Sequence, residues 1–272
     1  MKAKHSLIVA SRKGMLPQTN LLRRALIEAR GAKGLTRTGR SLAGGRHLVN
    51  TYRSVHSGVV NEDRFKRTFI EPAVDGGVAM TIDISGSMDD TLGNGYPIIQ
   101  NVIASACAVA EVLDKLNVKH SFAFCDIECP QDGQSIPTGS TSRYCGVLYP
   151  FSKASGKGLR YPADKLMRFP ANGGTQISIY AESAIKMARQ LNAKNRVAIY
   201  MTDGCCGSSR YLKSLQEQAR RDNIVLVGVV MGGGSHMERE AKAHPNGVYA
   251  KDSTELGKII LGHLAQAIKK GT

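Results

Sequence analysis

The sequence predicts an α/β protein built on a doubly wound, mostly parallel β-sheet, and three observations lead to that fold class. Short apolar segments alternate with longer segments whose apolar residues recur at helical spacing. Some of the short segments, such as residues 224–231, are apolar throughout, which is typical of strands covered on both faces. Two others, 78–82 and 197–202, run directly into Asp83 and Asp203, and ligands of such sheets bind at the carboxyl ends of strands.

The first part of the chain is predicted to form a basic extension of this sheet. Residues 1–16 are expected to be an irregular basic lead, and the apolar spacing of residues 19–30 predicts a helix. After a stretch rich in Gly and Arg, residues 48–60 and 64–70 resemble two strands of a hairpin that leads into the sheet.

The rest of the chain is predicted to alternate between strands and helices. The predicted strands are 78–82, 118–125, one near Val147, 197–202, 224–231 and 247–250. The predicted helices are 98–116, 177–191, 209–221, 237–243 and a last one that opens with Asp252 and Glu255 at capping-box spacing. We therefore divide the chain into an extension, 1–75, and a sheet domain, 76–272, with an insertion rich in Gly, Pro and Cys at about 126–172.

Composition bears on the cellular compartment in which the protein is expected. The chain has 272 residues, 42% of them hydrophobic, which is enough for a substantial core. No stretch approaches the roughly 18 to 20 uninterrupted apolar residues of a membrane span, and the apolar run near the N-terminus is too short for a signal peptide. The six cysteines do not form the pattern of a small secreted disulfide framework. We therefore expect a cytoplasmic protein without a membrane partner.

Positive charge is concentrated in the first quarter of the chain. The whole sequence carries a net charge of +15, and residues 1–70 contain 15 Lys and Arg against three acids, a net +12. Such a segment favours an acidic protein surface or nucleic acid, although a solvated face is the simplest alternative. The candidate contact residues are Arg23, Arg24, Arg37, Arg40, Arg46 and Arg53. Only Tyr52 interleaves with them, so stacking on single strands is not expected here and protein docking is favoured.

The segment that follows the first buried strand has the composition of a metal site. Asp83, Ser85 and Ser87 alternate within one loop, so their oxygens can point to one side of a turn. Thr175, after two glycines, and Asp203, after a second strand, add a hydroxyl and a carboxylate. This all-oxygen set suits Mg²⁺ or Mn²⁺ better than zinc. The alternative is an Asx/Ser turn that caps the next segment, and Thr175 could simply cap the helix that follows it.

These residues resemble the metal-ion-dependent adhesion site (MIDAS) of von Willebrand factor A (vWA) domains, which are Rossmann-like. The resemblance covers roughly residues 76–270. It implies that Ser85, Ser87 and Thr175 contact the metal, and that Asp83 and Asp203 hold it directly or through water. It also implies an open coordination position, which an acidic side chain of a partner protein completes.

A narrower resemblance concerns the segments around the sheet. The Arg-rich run at 64–69, the Gly-rich strand end at 227–236 and the Glu255-Leu256-Gly257 sequence are similar to the vWA region of the CobT-type subunit of aerobic cobaltochelatase. Related vWA proteins accompany magnesium chelatase and MoxR. The resemblance implies a non-ATPase subunit that partners an AAA+ ATPase. The alternative is a nucleic-acid-binding or nucleoprotein assembly protein, including a viral one, that uses the vWA fold as a scaffold.

Signatures of independent catalysis are missing from the sequence. It contains neither a P-loop nor a Gly-x-Ser-x-Gly elbow. If Asp83 were a phosphoryl acceptor, Ser85 would stand where a second carboxylate is needed as general acid. We therefore expect a binding module that is not catalytic by itself.

Cysteines offer one further metal hypothesis. Cys125, Cys129 and Cys145 could bind zinc together with His120, but free thiols are favoured because the spacing is not diagnostic.

Overall fold

The protein contains a six-stranded mixed sheet with helices on both faces. The structure is a computed structural model that describes residues 2–29, 34–36, 65–67, 76–128, 145–204, 209–233 and 236–271. The strands are β1 (Gly34–Thr36), β2 (Phe65–Arg67), β3 (Gly76–Asp83), β4 (Lys119–Glu128), β5 (Cys145–Pro150), β6 (Asn195–Thr202), β7 (Ile224–Met231) and β8 (Val248–Ala250). The helices are α1 (Lys2–Gly14), α2 (Leu16–Ala29), α3 (Ile98–Lys115), α4 (Ala163–Leu166), α5 (Ile177–Gln190), α6 (Ser209–Arg221), α7 (Met237–Ala241) and α8 (Ser253–Gly271).

Strand order in the main sheet is β5-β4-β3-β6-β7-β8, and only β5 runs antiparallel to its neighbour. The predicted fold class, a doubly wound and mostly parallel α/β sheet, is therefore confirmed. The register places Asp83 opposite Cys125 on β4, and Ile82 opposite Met201 on β6. The carboxyl ends of the central strands thus meet at one edge, where Asp83 ends β3 and Asp203 follows β6.

Two apolar layers cover the sheet. Helices α3 and α8 pack on one face, and α5 and α6 on the other. All eight residues of β3 are buried, and a continuously apolar strand is stable only when both faces are covered in this way. Among the described residues, none of the helices combines the length and the apolar content of a membrane span.

The expectation of an irregular lead at residues 1–16 was wrong. Residues 2–14 form α1, which packs against α3 and α8, and α2 packs along α8. Leu7 and Ile8 of α1 are buried in these contacts, as is Met15 between the two helices. Packing against α3 and α8, rather than intrinsic helix propensity, stabilises α1. For this reason the basic sequence of residues 1–16 did not predict a helix.

Two other predicted regions differ in detail. β2 lies inside the predicted strand 64–70. Its described partner is the antiparallel strand β1, which lies in the Gly- and Arg-rich stretch where no strand was predicted. Residues 48–60 lie outside the described residues. In the insertion, β5 confirms the strand expected near Val147, and α4 is an additional short helix.

Candidate metal centre

Asp83 is fixed at the end of β3 by three hydrogen bonds. Its side chain is fully buried. The Ser85 backbone N–H (2.7 Å) and the Tyr180 hydroxyl (2.9 Å) donate to Oδ1, and the Thr202 hydroxyl (2.8 Å) donates to Oδ2. Burial raises the pKa of Asp83, whereas the hydrogen bonds from Ser85, Thr202 and Tyr180 lower it. The carboxylate is therefore held in one orientation, with both oxygens engaged.

Tyr180 and Thr202 were not among the predicted site residues. The Tyr180 hydroxyl, on α5, also lies 2.6 Å from the Gly174 carbonyl oxygen, so it ties Asp83 to the loop before that helix. Thr202 also accepts a hydrogen bond from the Gly204 N–H (2.9 Å). Thr202 could have been found from its position directly before Asp203, but nothing in the sequence distinguishes Tyr180 from other inward-facing residues of α5.

The two serines lie on the turn that leaves β3. Ser85 is buried and Ser87 exposed, with their hydroxyl oxygens 3.3 Å apart. A short 3₁₀-helix, Gly86–Asp89, begins directly after Ser85. The turn thus keeps the two hydroxyls together, with Ser85 bonded to Asp83 and Ser87 bonded to Asp203.

The loop that carries Thr175 is connected to the same turn. The Gly173 N–H donates to the Ile84 carbonyl (2.7 Å). Thr175 is exposed, and its methyl lies 3.3 Å from the place that a Cβ on Gly204 would occupy, so it is close to the residue after Asp203. The N-cap of α5 is Gln176, without a side-chain capping bond. The simple capping role considered for Thr175 is therefore not what the structure describes.

Asp203 provides the feature that points most directly to cation binding. The residue is 9% exposed, and its Oδ1 is buried without a hydrogen-bond partner among the described residues. Burial raises the pKa of Asp203, the charges of Asp83 and Asp90 raise it further, and a hydrogen bond from Ser87 lowers it. A buried carboxylate oxygen without a partner is costly unless it is protonated or binds a cation.

The residues that the structure brings together fit a divalent cation. They are Asp83, Ser85, Ser87, Thr175 and Asp203, and every donor group among them is an oxygen. Carboxylates and hydroxyls are hard ligands of the kind preferred by Mg²⁺ and Mn²⁺. Two neighbouring carboxyls whose pKa values are both raised are also stabilised in their charged forms by a cation between them.

An open cleft of about 590 Å³ lies over this edge of the sheet. Ser87 and Asp203 line it together with Asp90, the glycines after β7 and His236. The site therefore faces a space that a side chain from another molecule can enter.

The arginines of the predicted basic surface lie on α2 or outside the described residues. Arg23 is exposed on α2, and Arg24 belongs to the same helix. The remaining arginines of the predicted basic surface lie outside the described residues; they are Arg37, Arg40, Arg46 and Arg53.

The structure opposes a zinc site that joins His120 and Cys125. These residues are five apart on β4, so their side chains point to opposite faces of the sheet. His120 is buried between Ser152 (3.1 Å) and Asp114 (3.1 Å), and Cys125 is a buried free thiol. Cys145 begins β5, and Cys129 lies outside the described residues.

Solved structures similar to this fold include vWA domains. One is a von Willebrand factor type A protein from Catenulispora acidiphila, at 19% identity and TM-score 0.42, with 72% of this chain and 43% of that chain covered. Another is the manganese-loaded TRAP protein of Plasmodium vivax, at 16% identity and TM-score 0.45, with coverages of 69% and 72%. The third is proximal thread matrix protein 1 of the mussel byssus, with a zinc-occupied MIDAS motif, at 17% identity and TM-score 0.45, with coverages of 72% and 47%.

This chain thus spans less than half the length of the Catenulispora and mussel proteins. No protein-family model matches the sequence, and no curated protein does. The fold and site together define a doubly wound α/β protein with a cleft at the carboxyl edge of its sheet that Ser87, Asp90 and Asp203 help to line.

Proposed function

We propose that this protein is a vWA-type binding module that captures an acidic side chain of a partner protein through a divalent cation. The observation that carries the proposal is the buried, unpartnered Oδ1 of Asp203 beside the Ser85–Ser87 turn. Asp83, Ser85, Ser87, Thr175 and Asp203 would hold the ion, which we propose to be Mg²⁺ or Mn²⁺.

The division of labour among these residues follows from their contacts. Asp83 is oriented by Ser85, Tyr180 and Thr202, so it presents its charge without needing to reorganise. The two serine hydroxyls and Thr175 supply neutral oxygens, and Asp203 faces the open cleft. When bound, the cation supplies positive charge that attracts a further carboxylate.

Partner capture provides the test of this proposal. Immobilised protein is expected to retain its partner in Mg²⁺ and to release it in EDTA, and Asp83→Ala is expected to abolish retention. Glu217→Gln, on the exposed face of α6, removes one negative charge elsewhere and is expected to behave like the wild type. Retention that is unchanged by both EDTA and Asp83→Ala contradicts the proposal.

We further propose that the partner is an AAA+ ATPase of the cobaltochelatase or MoxR type, in the cytoplasm. This rests on the sequence resemblance of residues 64–69 and 227–236, the latter including the glycines that line the cleft. Capture of a purified ATPase of this type should require both the divalent ion and Asp83. If such an ATPase binds equally strongly without the ion, the AAA+ part of the proposal is wrong and only the metal site remains proposed.

A second candidate function is nucleic-acid binding or nucleoprotein assembly through the basic N-terminal region. The observation behind it is the net charge of +12 in residues 1–70, with Arg23 exposed on α2. Binding through this region should weaken steeply with salt and should decrease when Arg23 is replaced by Ala. Flat salt dependence would exclude it.

A further inference from the structure

A second cleft, of about 650 Å³, lies beside the edge strand β5 and shares no lining residue with the cleft at the Asp83–Asp203 edge. It is bounded by β5, by the segment after it and by α4 with the residues that follow. Within the described residues, β5 has a strand neighbour on one side only. None of the proposed metal ligands lines this cleft.

Aromatic rings form the walls of this cleft. Phe124 and Phe169 are stacked, with ring centroids 4.0 Å apart, and Tyr149 lies 5.9 Å from Phe169 in a tilted arrangement. Phe124 is buried and provides the base of the stack, whereas Tyr149 and Tyr161 are 42% and 43% exposed. Large apolar residues that are exposed singly are common on protein surfaces. Two exposed rings at one cleft are unusual and indicate a binding site.

Positive charge surrounds the rings. Arg160, Lys165 and Arg168 line the cleft, and none of the described residues that line it is acidic. The Lys165 ammonium lies 5.0 Å from the centroid of the Tyr161 ring. The Arg160 Nε–H donates to the Ser152 carbonyl (2.8 Å), which anchors that side chain at the rim. The cleft thus offers flat apolar faces and cations, and it complements a ligand that is both aromatic and anionic.

We propose that this cleft binds single-stranded nucleic acid, with bases stacked on Tyr149 and Tyr161 and phosphates paired with Lys165 and Arg168. Single-strand binders combine these two features, because every base has a π-face and every nucleotide a negative charge. An acidic peptide would use the cations but would leave the exposed rings without a matching group. The proposal is independent of the metal site and of the basic N-terminal region.

Fluorescence anisotropy with labelled oligo(dT) and oligo(rU) of about twelve nucleotides, within the usual site sizes of single-strand binders, tests the proposal. The Tyr149→Ala/Tyr161→Ala variant is expected to bind about tenfold more weakly or worse, with an unchanged salt slope, since base stacking is lost and charge is not. The Tyr149→Phe/Tyr161→Phe variant keeps both rings and should bind like the wild type. Both residues are exposed, so neither variant should unfold, and thermal melting checks this.

Charge variants separate the cleft from other basic surfaces. Lys165→Ala/Arg168→Ala should reduce the slope of log K against log salt by about 1.4, because each phosphate contact contributes about 0.7 for single strands. Lys186→Ala/Arg220→Ala removes the same charge from exposed positions of α5 and α6 and should leave the slope unchanged. EDTA should have no effect.

Several outcomes of the oligonucleotide and variant measurements would overturn the proposal. They are absence of oligonucleotide binding at low salt, equal binding by the Tyr→Ala and Tyr→Phe variants, and equal loss in the two charge variants. Competition by polyglutamate as effective as that by unlabelled oligonucleotide would identify the cleft as a site for acidic peptides instead, and would also contradict it.

Discussion

At the scale of single residues, the site depends on hydroxyl groups that orient Asp83. Tyr180 and Thr202 approach its two carboxylate oxygens from different elements, α5 and the end of β6. Asp203, by contrast, keeps one buried oxygen free of hydrogen bonds among the described residues. One carboxylate is thus positioned by the protein, and the other is left available for a ligand.

Tyr180→Phe tests this positioning role. The substitution removes the hydroxyl whose one proton lies between Asp83 Oδ1 and the Gly174 carbonyl, so we expect Mn²⁺ affinity to fall about tenfold or more, as for other groups that orient metal ligands. Tyr200→Phe is the matched control, because the Tyr200 hydroxyl is also buried but bonds His244 (3.0 Å) instead. Calorimetric titration with Mn²⁺ measures both. Equal affinities for the two variants would show that Tyr180 does not support the site.

His244 should make stability depend on pH. Burial lowers its pKa to about 4, although the charge of Glu240 raises it. The folded protein therefore binds this proton less readily than the unfolded chain, whose His pKa is near 6.5. Stability is complete above that pH and falls as the pH decreases from about 6.5 towards 4, by up to about 3 kcal/mol from this group.

His244→Asn removes this titration and keeps a polar atom near Tyr200. Urea unfolding between pH 7 and pH 4 should show a smaller loss of free energy for the variant than for the wild type. Parallel curves for the two proteins would contradict the assignment to His244.

At the scale of elements, the site depends on the loop between α4 and α5. Gly173 bonds Ile84, and a Cβ at Gly173 would lie 2.3 Å from Asp126 Oδ1, so only glycine allows this close approach. The Asp126 side chain is itself held by the Ile127 N–H (2.7 Å). The contacts of Gly173 within this loop, rather than helix α5 after it, therefore set the position of Thr175.

Gly173→Ala is expected to displace this loop and weaken Mn²⁺ binding about tenfold. Gly174→Ala is the neighbouring control, because the nearest atom to its Cβ would be 3.9 Å away, an ordinary contact. Titration of both variants with Mn²⁺ should show a loss only for the first. A loss of equal size in Gly174→Ala would mean that the close approach at Gly173 is not what matters.

At the scale of the whole molecule, the N-terminal helices belong to the main core. Met15 is fully buried, and a Cβ on Gly257 of α8 would lie 2.0 Å from its sulfur, while Gly14 approaches Thr254 as closely. An ion pair between Arg12 and Glu111 joins α1 to α3. The basic charge of these helices is therefore carried by a packed part of the structure.

Met15→Ala should reduce the free energy of unfolding by about 2–5 kcal/mol, the usual cost of truncating a buried Met. Leu16→Ala changes the next residue, which is 60% exposed, and should cost less than about 0.5 kcal/mol. Urea denaturation of both variants measures the difference. Similar small effects would contradict the packing of α1 and α2 on α8.

The sequence predicted the sheet and the ends of its central strands because apolar runs that stop at an aspartate carry a local signal. It could not predict α1, because the burial of Leu7 and Ile8 depends on helices far along the chain. Tyr180 was missed for the same reason, since its partner Asp83 lies 97 residues earlier. The aromatic cleft beside β5 also depends on strand pairing, which brings Phe124 next to Tyr149.

The proposed metal site is a set of five residues, Asp83, Ser85, Ser87, Thr175 and Asp203, that we expect to bind one divalent cation. Calorimetric titration of the metal-free protein with Mn²⁺, compared with Asp203→Asn and with the Glu217→Gln control, tests it most directly. We expect saturable binding of a single ion by the wild type and the control, and at least a tenfold loss in Asp203→Asn. Binding of equal strength by all three proteins, or none by the wild type, would contradict it.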